Sequence, residues 1–165
     1  MLKGDLVVLA PVTEAHIPEL RRILRTPEVH ARWGDADAEP GWPLDDPAVV
    51  CFAVLVDDEV RGMIQYGEEN DPEYRHASMD VFLDPVVHGR GVGQDTVRTL
   101  ARYLIEEQGH HRLVIDPSAD NAAAIRCYEK VGFRPVGIMR DYERDHDGTG
   151  WHDGLLMDLL AAELT

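Results

Sequence analysis

A glycine-rich junction between a strand and a helix restricts the possible folds of this chain more than any other feature. Residues 76–83 alternate in polarity as a strand does, and Pro85 ends that strand. An apolar stripe of helical period then runs from about Gly91 to Gln108. The first amides of a helix lack internal partners and lie at the positive end of its dipole, and glycine lets a ligand approach closely. The segment HGRGVGQDT, residues 88–96, therefore predicts a phosphate site at a strand–helix turn.

Two nucleotide-binding patterns are excluded by the residues that follow the glycines. A P-loop requires Lys and then Ser or Thr after its last glycine, where this chain has Gln94 and Asp95. The dinucleotide pattern G-x-G-x-x-G requires a glycine at the position of Thr96. A tight strand–helix turn without a ligand remains the structural alternative.

The rest of the pattern predicts one α/β domain over residues 1–165, an ordinary length for a single domain. Strands are predicted at about 6–10, 49–56, 60–66, 76–83, 113–116, 133–142 and 150–160. Helices are predicted from a cap at Thr13 to about residue 25, in a short segment after Pro27, and at about 91–108 and 121–131, the last capped by Ser118 or Asp120. This order indicates one mixed sheet with helices on both faces. Residues 33–47 have loop composition, which is typical of either a functional loop or a solvated connection.

The charge of the chain restricts its partners. Thirty-one Asp and Glu residues against 16 Lys and Arg residues give a formal net charge of −15. Such a surface repels nucleic acid and anionic lipid and attracts cations, although acidity also serves solubility alone. The two cysteines form no CxxC pair, no signal or membrane-spanning segment is recognisable, and no histidine spacing is typical of a metal site. We therefore expect a cytoplasmic monomer or homodimer without nucleic-acid, membrane or metal partners.

A second motif lies downstream of the junction. Residues 115–133 read IDPSADNAAAIRCYEKVGF, and together with residues 80–96 they resemble the GNAT superfamily of acetyltransferases. The resemblance covers about residues 5–160 in the order of the elements. It implies the GNAT fold, with a mostly antiparallel central sheet of about six to seven strands flanked by about four helices, and it implies acetyl-CoA as co-substrate without a metal.

The same resemblance implies a set of coenzyme contacts. In the superfamily the first segment binds the coenzyme A pyrophosphate, and the second places an Asn and a Tyr beside the pantetheine and the thioester. His88 stands where the family has Gln or Arg, so Arg90 is the better placed cation for a phosphate. The N–H groups of residues 81–83 are implied to polarise the thioester carbonyl. The implied coenzyme residues are Val81, Phe82, Leu83, Gly89, Arg90, Gly91, Val92, Gly93, Gln94, Asp95, Asn121, Ala124, Tyr128 and Lys130.

Within the superfamily, the chain most resembles the aminoglycoside 6′-N-acetyltransferases. The likeness rests on MDVFL at 79–83, GMIQY at 62–66, RWG at 32–34 and the run from 115 to 133. It implies that Asp80 is the general base, that Asp116 binds the acceptor, and that Trp33 and Gln65 line the acceptor pocket. A solvent-facing strand residue and a turn with Pro117 are the structural alternatives for the two aspartates.

The residue types suit the acetylation of an amine. A carboxylate at Asp80, in opposite phase to Met79 and Val81, can bind an ammonium group and then accept its proton. Tyr128 can protonate the leaving thiolate, and a plain core position is its alternative. Asn121 can bind the pantetheine arm or cap the helix.

Three further residues extend the candidate site. Cys127 is either an acyl-enzyme nucleophile or a packed helix residue, and direct transfer is the default in the superfamily. Two acidic clusters, around Glu68 and Asp153, are either solvated loops or carboxylates that hold additional ammonium groups.

These patterns predict an enzyme that transfers acetyl from acetyl-CoA directly to a primary amine of a polycationic small molecule. The favoured acceptor is the 6′-amine of aminoglycosides, which implies antibiotic resistance. A polyamine, another amino metabolite or a protein amine is the alternative acceptor. The alternative of another class is a non-catalytic module that binds acyl-CoA.

Overall fold

The computed structural model describes residues 1–165 as one sheet with four α-helices packed on it. No helix is both long enough and apolar enough to span a membrane. The strands are β1 (Leu2–Lys3), β2 (Val8–Pro11), β3 (Val49–Val56), β4 (Glu59–Glu69), β5 (His76–Leu83), β6 (Arg112–Ile115), β7 (Arg134–Arg144) and β8 (Trp151–Leu160). The helices are α1 (Ile17–Leu24), α2 (Pro27–Trp33), α3 (Val92–Glu106) and α4 (Ala122–Val131), with short 3₁₀ turns at Glu14–His16, Pro85–Val87 and Ala161–Glu163.

The eight strands form a single sheet in the order β1-β2-β3-β4-β5-β6-β8-β7. Every neighbouring pair is antiparallel except β5 and β6. These two strands pair only at Ala77 with Leu113 and at Ser78 with Val114. Beyond Ser78, β5 continues to Leu83 without a partner on that side, so the sheet opens at the carboxyl ends of its two parallel strands. Openings of this kind are where ligands bind in α/β sheets.

The predicted mixed, mostly antiparallel sheet and the four helices are confirmed, with two differences. The sheet has eight strands rather than six to seven, because Leu2–Lys3 pairs with β2 at the edge. Two residues are too few to show an alternating pattern. Thr13 caps a 3₁₀ turn rather than α1, because its N–H donates to His16 Nδ1 at 3.0 Å and α1 begins only at Ile17.

Both faces of the sheet carry a hydrophobic core. Helices α3 and α4 cover one face, where Met79 and Leu100 are buried, and α1 and α2 cover the other, where Ile23 and Phe82 are buried. The predicted opposite phase of Asp80 and Met79 is confirmed, since Asp80 lies on the face of Phe82 and retains access to water.

Candidate active site

A cleft of about 990 Å³ occupies the opening between β5 and β6. One part, which we call the amide half, is lined by residues 81–83, the glycine-rich junction and one wall of α4. The other part, the acidic half, is lined by Trp33, Asp80, Asp116, Asp120, Glu143, Asp145, His146 and His152.

The amide half is a concave array of unpaired backbone N–H groups. Gly89 and Gly91 have φ values of +74° and +80°, a conformation that glycine adopts without strain. The N–H groups of residues 89–94 have no acceptor within the chain, because α3 begins at Val92 and its first amides precede any helical partner. The positive end of the α3 dipole lies behind them. This cradle fits a pyrophosphate group.

Gly93 allows α3 and α4 to approach each other beside the cradle. A Cβ atom at this position would lie 3.3 Å from Cys127 Sγ and 3.5 Å from Leu83 Cδ1. Burial raises the pKa of the Cys127 thiol, which disfavours the thiolate that a nucleophile requires. The geometry favours the packing role of Cys127 over the acyl-enzyme alternative.

Strand β5 contributes further N–H groups to the amide half. The Asp84 N–H donates to the Arg61 carbonyl of β4 at 2.7 Å, and alternate residues of a strand point the same way. The N–H groups of Val81 and Leu83 therefore face the open side of β5. The Val81 N–H donates to Asp80 Oδ1 at 3.1 Å, which leaves the Leu83 N–H for a ligand.

Helix α4 brings Ala124 and Lys130 to the cleft wall. Asn121 caps this helix, because its Oδ1 accepts the Ala124 N–H at 3.3 Å, and its side-chain NH₂ has no partner in the chain. The predicted cap by Ser118 or Asp120 is wrong, since the Ser118 hydroxyl donates to Asp120 at 2.8 Å instead.

Three of the predicted coenzyme residues do not present their side chains to the cleft. Asp95 is buried, and its carboxylate accepts the N–H groups of residues 5–7 at 2.7 to 3.1 Å. The Val92 side chain packs in the core, so only its amide belongs to the cradle. Arg90 is exposed outside the cleft lining. The glycine pattern marks a backbone site, and it does not distinguish side chains that anchor the turn from those that face a ligand.

Asp80 combines access to the cleft with surroundings that favour its protonated form. Although the side chain reaches water in the cleft, the enclosing protein removes much of its hydration and raises its pKa to about 7. The charges of Asp116 and Glu143 also raise this pKa, whereas the bond from the Val81 N–H lowers it. A carboxylate with a pKa near neutrality is suited to accept a proton from an ammonium ion.

Tyr128 lines the cleft with a hydroxyl that has no partner in the chain. Its ring packs edge-on against Phe133, with the ring centroids 6.4 Å apart. Burial, followed by the charge of Asp80, holds the pKa of Tyr128 above its ordinary value. The Tyr128 ring therefore packs in the core, as the structural alternative predicted. Its protonated hydroxyl is free to donate a hydrogen bond into the cleft.

A bulge in β7 supplies a cleft contact that no sequence pattern predicts. Just before Glu143, three residues of β7 lie opposite the single residue Asp153 of β8. Asp141, within the bulge, has a φ of +45°, and its N–H donates to the Asp153 carboxylate at 2.9 Å. The Tyr142 hydroxyl donates to Asp116 Oδ2 at 2.7 Å, and this bond, together with burial and the nearby carboxylate charges, raises the pKa of Tyr142 to about 12. Asp153 thus secures the bulge and does not line the cleft.

Polar links close the rim of the acidic half. Arg32 of α2 forms an ion pair with Asp120 at 2.7 Å, which lowers the pKa of Asp120. His146 Nε2 lies 2.6 Å from the Arg32 carbonyl oxygen. Gly34 permits this approach, since a Cβ atom there would lie 2.8 Å from His146 Nδ1. Helix α2, the β6–α4 connection and the β7–β8 connection are thereby joined.

The remaining predicted acceptor residues lie in three different places. Trp33 lines the cleft. Gln65 lines an adjoining cavity of about 510 Å³, which shares Trp33 and His146 with the cleft. Glu68 lies outside both cavities and contacts His110 Nε2 at 2.6 Å.

Comparison with known proteins identifies the family. Residues 17–133 match the model of the acetyltransferase (GNAT) family, so the chain belongs to that family. It is an acetyl-CoA-dependent N-acetyltransferase. Aminoglycoside N(6′)-acetyltransferase type 1 of Klebsiella pneumoniae is 28% identical over 158 residues, which cover 82% of this chain and 78% of the relative. The N-alpha-acetyltransferase RimI of Mycobacterium tuberculosis is 33% identical over 73 residues, 44% of each chain.

Solved structures confirm the GNAT fold. AAC(6′)-Ib in complex with paromomycin and acetyl-CoA aligns with a TM-score of 0.76 and 25% identity, over 96% of this chain and 97% of that one. Spermidine N-acetyltransferase from Vibrio cholerae in complex with CoA and spermine aligns with a TM-score of 0.81 over 97% and 98% of the two chains. At 16% identity, the second likeness shows the fold alone.

Proposed function

We propose that this protein acetylates the 6′-amine of aminoglycosides and thereby confers resistance to these antibiotics. The observation that carries the proposal is the acidic half of the cleft, where Asp80, Asp116, Glu143 and Asp145 lie beside the amide half. Aminoglycosides carry several ammonium groups, which such carboxylates attract and orient. The likeness to the Klebsiella aminoglycoside acetyltransferase supports the same acceptor class.

Asp80 performs the first chemical step of the proposed reaction. The acceptor enters as an ammonium ion, and Asp80 and Asp116 bind its charge. Asp80 then takes one proton, directly or through water, and leaves a neutral amine. Its pKa of about 7 suits this step better than an ordinary carboxyl pKa would, because a stronger base takes the proton more readily.

Acyl transfer follows as the amine attacks the carbonyl carbon of the thioester. The C–N bond forms, the C–S bond breaks, and the nitrogen releases its second proton to water. The Leu83 N–H stabilises the negative charge that develops on the carbonyl oxygen. Tyr128 gives its hydroxyl proton to the departing thiolate and regains one from solvent. The N–H groups of residues 89–94 hold the pyrophosphate, so that thioester and amine meet in line.

A linear polyamine is the second candidate acceptor, and the adjoining cavity favours it. Asp35, Glu39, Asp45 and Asp46 line that cavity, and Trp33 lines both it and the cleft. A flexible polycation acetylated at one end can place its distal ammonium groups there.

Release of free CoA from acetyl-CoA with a panel of amines tests the proposal. The panel contains kanamycin, tobramycin, an aminoglycoside that carries a 6′-hydroxyl group, spermidine and a lysine peptide. Turnover with the two 6′-amino drugs but not with the 6′-hydroxyl analogue is expected. Turnover only with spermidine would replace the acceptor by a polyamine, and turnover only with the peptide would replace it by a protein amine. Binding of acetyl-CoA without turnover of any amine would contradict the proposed activity and favour the non-catalytic alternative.

A further inference from the structure

A buried carboxylate lies between the two sets of ligand N–H groups in the amide half. The first set ends with the Leu83 N–H on β5, and the second set, the pyrophosphate cradle, begins at Gly89. Asp84 follows Leu83 directly, is 1% exposed and does not line the cleft. A charged group that is removed from water in this way requires partners within the chain.

The two carboxylate oxygens of Asp84 bind different parts of the molecule. Oδ1 accepts the Val86 N–H at 3.2 Å, within the 3₁₀ turn that follows β5. Oδ2 accepts from Arg22 of α1 at 2.6 Å and from Arg61 of β4 at 3.4 Å. Burial alone would raise the pKa of Asp84, but the bonds from Arg22 and Val86 hold it below its ordinary value, so the carboxylate stays charged. Asp84 thus fastens the turn to a helix and a strand outside it.

The turn itself is closed by further hydrogen bonds. The Val87 N–H donates to the Asp84 carbonyl at 3.0 Å, and the His88 N–H donates to the Pro85 carbonyl at 3.1 Å. His88 Nε2 also donates to the Leu83 carbonyl at 2.9 Å, which joins the end of β5 to the start of the cradle. A turn held in this way moves as a unit, so its anchor determines where the Leu83 N–H lies relative to the cradle.

We propose that Arg22 and Asp84 are positioning residues of the acetyl transfer, which hold the Leu83 N–H and the cradle at the separation that one acetyl-CoA molecule spans. The inference rests on the proposed role of the Leu83 N–H. The cradle would still bind the pyrophosphate if the turn shifted, because its N–H groups are positioned locally. The thioester carbonyl, at the other end of the same pantetheine chain, would lose the bond that it needs in the transition state.

Arg22→Gln tests this role, because the Arg22 side chain is half-exposed and its loss leaves Asp84 with Arg61. Replacement of the buried Asp84 would instead leave two arginines without their shared partner and destabilise the fold. In Arg22→Gln, kcat with any amine of the panel that turns over should fall by about tenfold, since small misplacements of reacting groups are costly. The Kd for CoA, measured by calorimetry, should stay near the wild-type value.

The carbonyl ¹³C resonance of bound acetyl-CoA, labelled in its acetyl group, reports the same contact without any acceptor. A hydrogen bond to the carbonyl oxygen polarises the thioester and displaces this resonance to lower field than in free acetyl-CoA. The displacement should be present in the wild type and should decrease in Arg22→Gln. A residue with a merely structural role would lower stability and leave the bound resonance in place.

The matched control is Arg25→Gln, at the end of the same helix. Arg25 forms an ion pair of similar length, 2.7 Å, with Asp37, and both side chains are exposed and distant from the turn in sequence. This variant should leave kcat, the Kd for CoA and the resonance unchanged. An equal loss of kcat and of CoA affinity in Arg22→Gln, or no change in kcat, would overturn the proposal. If Arg22→Gln does not fold, Arg61→Gln decides by the same measurements, with smaller expected changes because its contact is longer.

The resonance separates failure of this inference from failure of the proposed function. If no amine turned over, the proposed function would fail, and the resonance would still support or contradict the role of Arg22. A wild-type resonance at the position of free acetyl-CoA would contradict the Leu83 contact and, with it, this inference. A displaced wild-type resonance that stays in place in Arg22→Gln would overturn this inference alone.

Discussion

The two halves of the cleft are built in different ways. The amide half comes mainly from one continuous stretch, residues 81–94, and its ligand groups are backbone N–H groups positioned by local conformation. The acidic half consists of side chains from α2, β5, the β6–α4 connection and the β7–β8 hairpin. Arg32 and Asp120, for example, form an ion pair although they are 88 positions apart in the sequence. A backbone site tolerates most changes of side chain, whereas a side-chain site depends on each charge. Substitutions should therefore separate into effects on acetyl-CoA and effects on the acceptor and on pH.

Tyr128→Phe should have the largest effect among the substitutions that probe the two halves separately. Loss of the hydroxyl removes the proton donor for the thiolate, and kcat should fall by about 100-fold. Steady-state kinetics with a saturating acceptor measure this change. Tyr74→Phe, at an exposed tyrosine, is the control and should leave kcat unchanged. A kcat within twofold of the wild type in Tyr128→Phe would show that the thiolate leaves without this acid.

Asp95→Asn should separate anchoring from ligand binding within the amide half. The buried carboxylate accepts N–H groups of residues 5–7, and its loss should lower the free energy of unfolding by about 2 kcal/mol. Urea unfolding measures the loss, and KM for acetyl-CoA should stay near the wild-type value. A raised KM with unchanged stability would instead place Asp95 at the ligand, as the resemblance implied.

Gly93→Val should affect the amide half alone. The added methyl groups press on Cys127 and Leu83 and displace the start of α3. KM for acetyl-CoA should rise by about tenfold, equivalent to about 1.4 kcal/mol, while KM for the acceptor stays constant. Gly137→Val is the matched control, because nothing lies within 4 Å of a Cβ atom there. An equal rise in both KM values would contradict the division of the cleft.

Arg32→Gln should give the smallest effect, confined to the acidic half. Both side chains of the Arg32–Asp120 pair are exposed, so the pair contributes only about 0.5 kcal/mol, and KM for the acceptor should rise about two- to threefold. Asp120→Asn should raise KM for the acceptor by the same factor, and the double variant should show no larger rise than either single variant. A change in KM for acetyl-CoA instead would show that the rim acts on the amide half.

The amide half could be predicted from the sequence to a larger extent than the acidic half. The strand, glycine turn and helix of residues 76–108 are local, so their periodicity and turn chemistry predicted the cradle. Strand alternation predicted that Asp80 lies on the face opposite to Met79. Its role as general base was implied only by the resemblance to the family. The contact of Tyr142 with Asp116 was not predicted, because it depends on a bulge of β7 that no pattern marks. His152 was not predicted as a cleft residue, because its place there depends on the pairing of β8 in the sheet. Glu68 was assigned by composition alone, which does not reveal that its partner is His110.

The pH dependence of kcat/KM in the wild type and in Asp80→Asn tests the central claim most directly. Asp80 accepts the proton only when ionised, and its raised pKa predicts that wild-type kcat/KM climbs with pH to a plateau through a midpoint near 7. Asp80→Asn should lower kcat/KM by about 10²–10⁴ and abolish this limb. A variant that keeps near-wild-type kcat/KM across the same pH range would contradict Asp80 as the base and, with it, this account of the acidic half.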